Sequence, residues 1–96
     1  MSQEIIEGIQ LIEKEKGIEE GVLITALEDA LRAVGGSLAH VVRITAWLTG
    51  LDEYAEYSRV RGERFGQNLP ASAAVQVAGL LQGALIEIDA VAFIPD

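Results

Sequence analysis

The segment ALIEIDAVAFI, residues 84–94, carries the alternation that decides the fold of this chain. Successive side chains of a β-strand point to opposite faces, so a two-residue alternation predicts an extended strand with one side in a core. The predicted core side holds Ile86, Ile88, Ala90, Ala92 and Ile94. The other side holds Leu85, Glu87, Asp89, Val91 and Phe93, a mixture that is neither purely solvated nor purely a core.

Three further elements are predicted before this strand. Residues 41–49 are rich in β-branched side chains and predict a strand, as does the segment 72–78. A helix begins at Asp52, which can cap it, and continues to about Phe65. Its predicted inner stripe is Leu51, Tyr54, Ala55, Ser58 and Phe65. A preceding helix, about residues 19–34, has a leucine-rich stripe and ends at Gly35-Gly36.

The first residues predict one more helix. Ile5, Ile6, Ile9 and Ile12 follow helical spacing, and Gly17 is suited to end a helix over residues 3–16. The predicted fold class is therefore α+β, with two N-terminal helices followed by β-α-β-β and the helices on one face of a small sheet. A chain of 96 residues forms a single domain, 1–96, because it has no room for a second core.

Composition excludes several classes of function. The formal net charge of −8 argues against a nucleic-acid partner, since phosphate binding needs clustered Lys and Arg. The absence of Cys and the single His leave no basis for a metal site, and no cofactor is implied. No apolar run approaches the roughly 20 residues of a membrane span, and the acidic start is unlike a signal peptide. The expectation is a cytoplasmic protein.

The second face of the predicted sheet is the candidate functional surface. It would present Arg43, Thr45 and Trp47 from one strand, Ser72, Ala74 and Gln76 from the next, and Glu87, Asp89, Val91 and Phe93 from the last. Such a mixture predicts contact with another subunit around a polar pocket. The alternative is an antiparallel sheet with one wet face.

Charged residues in two places have alternative interpretations. Glu87 and Asp89 share a face, so their carboxylates could do acid/base work, or they could form the solvent side of a strand. Arg59, Arg61 and Arg64 alternate with Glu56 and Glu63, which indicates a solvated helix face more than a phosphate site.

Five blocks of the chain resemble the RidA/YjgF family, in order and at natural spacings. They are Gly35-Gly36-Ser37-Leu38 followed by Val41-Val42, then residues 48–54, 65–71, 75–80 and 86–92. The resemblance implies a chorismate-mutase-like fold, usually assembled as a trimer with ligand clefts between subunits. Because nothing before residue 35 resembles the family's opening β-hairpin, the fold would be a truncated form.

The resemblance also implies a chemistry. Active members hydrolyse reactive imines and enamines formed from amino acids, and a Glu that helps to position the attacking water matches Glu87. An Arg that holds the substrate carboxylate is expected after Pro70-Ala71, where this chain has Ser72. Ser72 cannot neutralise a carboxylate, so a substrate would have to be bound by Arg43 or by the Ser72 hydroxyl.

Residues 11–31 are similar instead to the helical opening of the transcription factor NusA, through Glu15-Lys16-Gly17-Ile18 and residues 26–31. The preferred hypothesis is therefore a chimera, constructed or selected, of a NusA-like segment (1–34) and a RidA-like segment (35–96). It would fold and self-associate without catalysis, forming a homo-oligomer through a sheet edge along residues 84–94. The alternatives are an imine/enamine hydrolase with an altered site and an RNA polymerase-binding module, the latter disfavoured because only two NusA-like helices are present.

Overall fold

The computed structural model describes the backbone of residues 2–11 and 19–95, and the side chains of residues 21–95. Four strands and two helices follow one another as β1 (Ser2–Leu11), α1 (Glu19–Ala33), β2 (Val41–Leu48), α2 (Tyr54–Phe65), β3 (Ala71–Gln76) and β4 (Ile86–Ile94). Short 3-10 turns occupy Leu38–His40, Leu51–Glu53 and Leu81–Gly83. Neither α-helix in the described part of the chain is long and apolar enough to cross a membrane.

The four strands form one sheet in the order β1-β4-β2-β3. β4 lies inside the sheet, because it pairs antiparallel with β1 on one side and with β2 on the other. β3 is an edge strand that pairs parallel with β2. Parallel neighbours need a crossover connection, and α2 supplies it between β2 and β3.

The predicted helix over residues 3–16 is wrong where the structure describes it. Residues 2–11 form β1, which pairs with β4 from Ser2 opposite Ile94 to Leu11 opposite Ile86. The register shifts between Ile6 and Ile9, and such an irregularity breaks the two-residue alternation that would have indicated a strand. Isoleucine also favours strands over helices. Residues 12–18, including the predicted stop at Gly17, lie outside the described residues.

The same pairing corrects the predicted sheet edge. An edge along residues 84–94 was expected to be left for a second copy of the chain. Both hydrogen-bonding sides of β4 are instead occupied within the protomer, by β1 and β2. The edge strands of the described sheet are β1 and β3.

The core lies between one face of the sheet and the two helices. It contains the predicted inner residues of β4 together with residues of both helices, of β2 and of the 3-10 turn before β2. These are Leu23, Ile24, Leu27, Leu31, Leu38, Val41, Ile44, Ala46, Leu48, Tyr57, Val60, Phe65, Ile86, Ile88, Ala90, Ala92 and Ile94. The alternation in β4 thus predicted correctly which side of the strand is buried.

Two predicted stripes shift in phase. In β2 the predicted placement of Arg43 on the second face implies that Val42 lies on the core side, but a register shift between Val41 and Arg43 buries Val41 and leaves Val42 46% exposed. In α2 the buried side chains are Tyr57, Val60 and Phe65. Of these, only Phe65 belongs to the predicted inner stripe. Tyr54 and Leu51 are exposed, because the face of α2 that packs against the core is the one that holds Tyr57 and Val60.

Gly35 and Gly36 shape the turn between α1 and β2. Gly35 has a φ of 84°, a conformation that side chains disfavour, and the Gly36 amide donates to the Leu31 carbonyl at 2.8 Å. A Cβ on Gly36 would lie 2.7 Å from Cδ1 of Ile94, so glycine lets this turn contact the end of β4.

Candidate functional site

Two of the predicted site residues, Glu87 and Arg43, lie on the sheet face that the helices do not cover. Glu87 on β4 is paired with Trp47 on β2, and Asp89 is paired with Thr45. All four are half-buried, and Phe93 further along β4 is 39% exposed. We call this surface, made of Arg43, Thr45, Trp47, Glu87, Asp89, Val91 and Phe93, the open face.

The carboxylates of the open face differ in their surroundings. Oδ1 of Asp89 is buried and has no hydrogen-bond partner in the described part of the protein. Glu87 takes part in a polar interaction of its own. A buried carboxylate oxygen without a hydrogen-bond donor lowers the stability of the fold, so a donor from outside the described residues would stabilise Asp89 on the open face.

Arg43, the predicted substrate-binding arginine, is exposed on this face opposite Val91. Arg43 lies four residues before Trp47, the β2 residue that is paired with Glu87. Arg43 is therefore about 13 Å from Glu87 along the strand direction. Asp89 lies on the rung between them. Arg43 and Glu87 share the open face, but they are not neighbours.

Ser72 lies on the opposite face of the sheet, contrary to the prediction. Its Cα partner on β2 is Ile44, and Ala74 is partnered with Ala46, so β3 turns these side chains toward the helices. The polar sequence of β3, ASAAVQ, has no apolar alternation from which this phase could be predicted. Ser72 is therefore about 10 Å sideways from Glu87 and on the other side of the sheet.

The structure brings Ser72 together with a residue that the sequence did not single out for binding. Nη1 of Arg61 on α2 donates to Oγ of Ser72 at 2.7 Å, and Nη2 donates to Oγ of Ser58 at 3.3 Å. The Arg61 guanidinium carbon is 5.4 Å from the centroid of the Tyr57 ring, within cation–π range. We call Tyr54, Tyr57, Ser58, Arg61 and Ser72 the Arg61 cluster.

The tyrosines of this cluster are shifted in opposite directions. A hydrogen bond from Arg61, with a smaller contribution from Ser58, lowers the pKa of exposed Tyr54. Burial raises the pKa of Tyr57, and the charge of Arg61 opposes that shift. Arg61 thus acts to lower the pKa of both tyrosines, and only for Tyr57 is this effect outweighed by burial.

The other arginines of α2 have acidic partners. Arg59 forms ion pairs with Glu56 and Glu63, and Arg64 bonds to Glu28 on α1 at 2.9 Å. Arg64 also donates to Oγ1 of Thr25 at 3.1 Å. The interpretation of a solvated helix face fits Arg59, whereas Arg61 is turned inward to the β3 edge.

The described residues contain no group of three or more His, Cys, Asp or Glu side chains placed to hold a metal ion. They also enclose no pocket within one protomer. The candidate functional residues therefore form two open half-sites, the open face with Glu87 and the Arg61 cluster, on opposite sides of one thin sheet.

A comparison with protein families matches residues 9–94 to the family described as Endoribonuclease L-PSP. Among curated proteins, Protein DfrA of Myxococcus xanthus is 36% identical over 91 residues, which are 95% of this chain and 65% of that protein. The 2-iminobutanoate/2-iminopropanoate deaminase of Rattus norvegicus is 38% identical over 66 residues, 69% of this chain and 48% of that protein. The chain spans about half to two thirds of the length of such relatives.

Solved structures agree. A crystal structure of a member of the YjgF/YER057c/UK114 family from Mycobacterium tuberculosis has a TM-score of 0.88 to this chain at 27% identity. The match covers 96% of this chain and 79% of that one. The likeness therefore includes β1 and α1 as well as the region after residue 35 that the sequence motifs indicated.

These comparisons correct the hypothesis of a non-catalytic chimera. The family match extends from residue 9 to residue 94 and so includes the proposed boundary between residues 34 and 35. Together with the strand at residues 2–11, it leaves no support for a NusA-like segment or for a constructed joint. The RNA polymerase hypothesis depended on that segment and loses its basis with it.

Proposed function

We propose that this chain, which belongs to the Endoribonuclease L-PSP family, hydrolyses small imines or enamines derived from amino acids. The observation that carries the proposal is Glu87, half-buried on β4 in the middle of the matched region and beside Trp47. The rat and human relatives named 2-iminobutanoate/2-iminopropanoate deaminase are each 38% identical over the aligned region. That activity fits a carboxylate at the margin of an apolar surface.

The chemistry needs only a positioned base and a water molecule. Water adds to the carbon of the C=N bond, and the Glu87 carboxylate accepts the proton that the water loses. The resulting carbinolamine then expels ammonia: Glu87 returns the proton to the departing nitrogen, the hydroxyl group loses its proton to water as the C=O bond forms, and a 2-oxo acid remains. Half-burial beside Trp47 suits this role, because it keeps the carboxylate in a defined position at the surface of the sheet.

A complete site requires two copies of the chain. Ser72 and Glu87 lie on opposite faces of the sheet, so one small substrate cannot contact both in the same protomer. Contact between the open face of one copy and the β3 edge of another would bring the two half-sites together. It would also cover Trp47 and Phe93 and offer a polar partner to Asp89. We therefore propose a homo-oligomer whose sites lie between subunits.

Cleavage of RNA, which the name of the family suggests, has weaker support in this chain. The formal net charge is −8, and Arg32, Arg59 and Arg64 are each paired with carboxylates. A surface of this kind has little to offer a phosphate backbone. We propose that the chain has no nucleic-acid partner.

The test is hydrolysis of freshly generated 2-iminobutanoate by wild type, Glu87→Gln and Glu63→Gln. Glu63 is an exposed acid of α2, so its amide variant is a matched control. We expect Glu87→Gln to lose about 10²–10⁴-fold in kcat, the usual contribution of a general base, while Glu63→Gln retains full activity. Equal rates for wild type, Glu87→Gln and buffer alone would refute the proposal.

A further inference from the structure

Arg61 differs from its neighbours on α2 in what neutralises it. Arg59 and Arg64 form ion pairs, whereas Arg61 donates to neutral hydroxyls among the described residues, those of Ser58 and Ser72, and also interacts with the phenol of Tyr54. No ion pair of Arg61 with a described carboxylate is present. The charge of Arg61 is therefore stabilised by hydroxyl dipoles and by the Tyr57 ring, but no described carboxylate neutralises it.

The guanidinium is also held in place before any ligand arrives. The Tyr57 ring lies beneath it, the two serine hydroxyls fix its Nη atoms, and Nε is buried with no acceptor among the described residues. A buried donor without an acceptor is unfavourable, and an uncompensated cation raises that cost. A side chain held in this way loses little freedom when it binds an anion.

We infer that the Arg61 cluster binds the carboxylate of a small acid, with Arg61 and the hydroxyls of Ser58 and Ser72 as its donors. A planar guanidinium matches a planar carboxylate, and each hydroxyl can rotate to donate to a carboxylate oxygen. With one unpaired cation in the cluster, a singly charged anion balances the site and a phosphate dianion does not.

This inference rests on the proposed function and adds to it the residue that binds the acid group of the substrate. Ser72 alone supplies no charge, and Arg43, although it is paired with Ala71 on β3, lies on the other face of the sheet from Ser72. Arg61 delivers a guanidinium to the Ser72 hydroxyl from the neighbouring helix. Across a subunit contact, the acid group would lie at the Arg61 cluster of one chain and the imine carbon at Glu87 of the other.

The experiment measures binding separately from turnover. Wild type, Arg61→Ala, Arg61→Lys and Arg59→Ala are titrated with 2-oxobutanoate and with its uncharged amide, followed by calorimetry. Arg59→Ala is the matched control, because Arg59 lies two residues away on the same helix and is ion-paired. A charge-assisted contact contributes about 1.5–3 kcal/mol, so Arg61→Ala should weaken binding of the acid about 10–150-fold.

The remaining outcomes are distinct. Arg61→Lys should bind with intermediate affinity, the amide should bind weakly to all four proteins, and inorganic phosphate should compete poorly. In turnover, Arg61→Ala should raise KM about as much as it weakens binding while kcat changes little. Should Arg61→Ala fail to fold, Arg61→Lys and the double variant Arg61→Ala, Ser72→Arg, which supplies a guanidinium from β3, carry the comparison.

Unchanged binding of the acid by folded Arg61→Ala, or equal losses for the acid and the amide, would overturn the inference. The proposed function can fail independently. If wild type binds the acid through Arg61 but never hydrolyses the imine, the anion site stands and the deaminase proposal falls. If the imine is hydrolysed with the same KM in Arg61→Ala, the reverse holds.

Discussion

The two faces of this sheet are built from the same strands but serve different ends. On the covered face, Ile44 and Ile88 are fully buried under the helices. On the open face, Thr45 and Glu87, which are the chain neighbours of Ile44 and Ile88, are half-buried and polar. The alternation that buries Ile88 in the core therefore also places Glu87 on the opposite face, so the fold and the candidate chemistry depend on one sequence pattern.

The largest effect is expected on the covered face. Ile88→Ala removes a fully buried side chain at the centre of β4 and should lower the free energy of unfolding by about 3 kcal/mol. Urea denaturation followed by circular dichroism measures this loss. Phe93→Ala, on the open face of the same strand, should cost the isolated protomer clearly less, because Phe93 is 39% exposed. Similar losses for the two variants would mean that the faces are not distinct.

A smaller effect is expected where the covered face meets the turn after α1. Gly36→Ala places a Cβ about 2.7 Å from Ile94 and should destabilise the protein by about 1–3 kcal/mol through overpacking. Gly62→Ala is the control, since its Cβ meets nothing within 4 Å in α2. Alanine favours helices, so that variant should gain up to about 1 kcal/mol. A Gly36→Ala protein as stable as wild type would contradict the tight contact between this turn and β4.

The smallest effect is a separation of the two tyrosine titrations on the helix side. Tyr54 has a pKa lowered by Arg61, and Tyr57 has a pKa raised by burial, so tyrosinate absorbance should rise in two steps on either side of the usual value of about 10. Arg61→Ala should move the first step upward, and Arg59→Ala should leave it in place. One step in wild type would mean that Arg61 does not act on Tyr54.

The sign of the linked stability follows from the lowered pKa. Between the folded pKa of Tyr54 and about 10, the unfolded chain binds more protons than the folded one, so stability rises with pH through that window. The contribution is lost as pH falls through the folded pKa. Because Tyr54 is exposed, the pKa itself is the quantity to measure.

What the sequence could predict depended on whether apolar residues mark a face. They do in β4, and its buried side was predicted residue by residue. They do not in β3, where the parallel register with β2 alone decides that Ser72 faces the helices. In β1 the isoleucine spacing predicted a helix, because the register shift between Ile6 and Ile9 hides the strand alternation.

The candidate site was predicted in the same uneven way. Glu87 was identified through the family resemblance, and its placement on the open face followed from the alternation of β4. Arg61 was grouped with Arg59 and Arg64, since spacing along a helix cannot show which arginine finds a carboxylate. Its partner Ser72 is eleven residues away on another element, so only the packing of α2 against β3 reveals their contact.

A mixture of two impaired variants can show whether each site combines Glu87 of one copy with the Arg61 cluster of another. Glu87→Gln and Arg61→Ala are unfolded, combined in equal amounts, refolded together and assayed at a 2-iminobutanoate concentration well below KM. Random assembly should give sites with both intact residues in about a quarter of cases, and a similar fraction of wild-type turnover. A mixture no more active than the mean of the two variants would contradict the account.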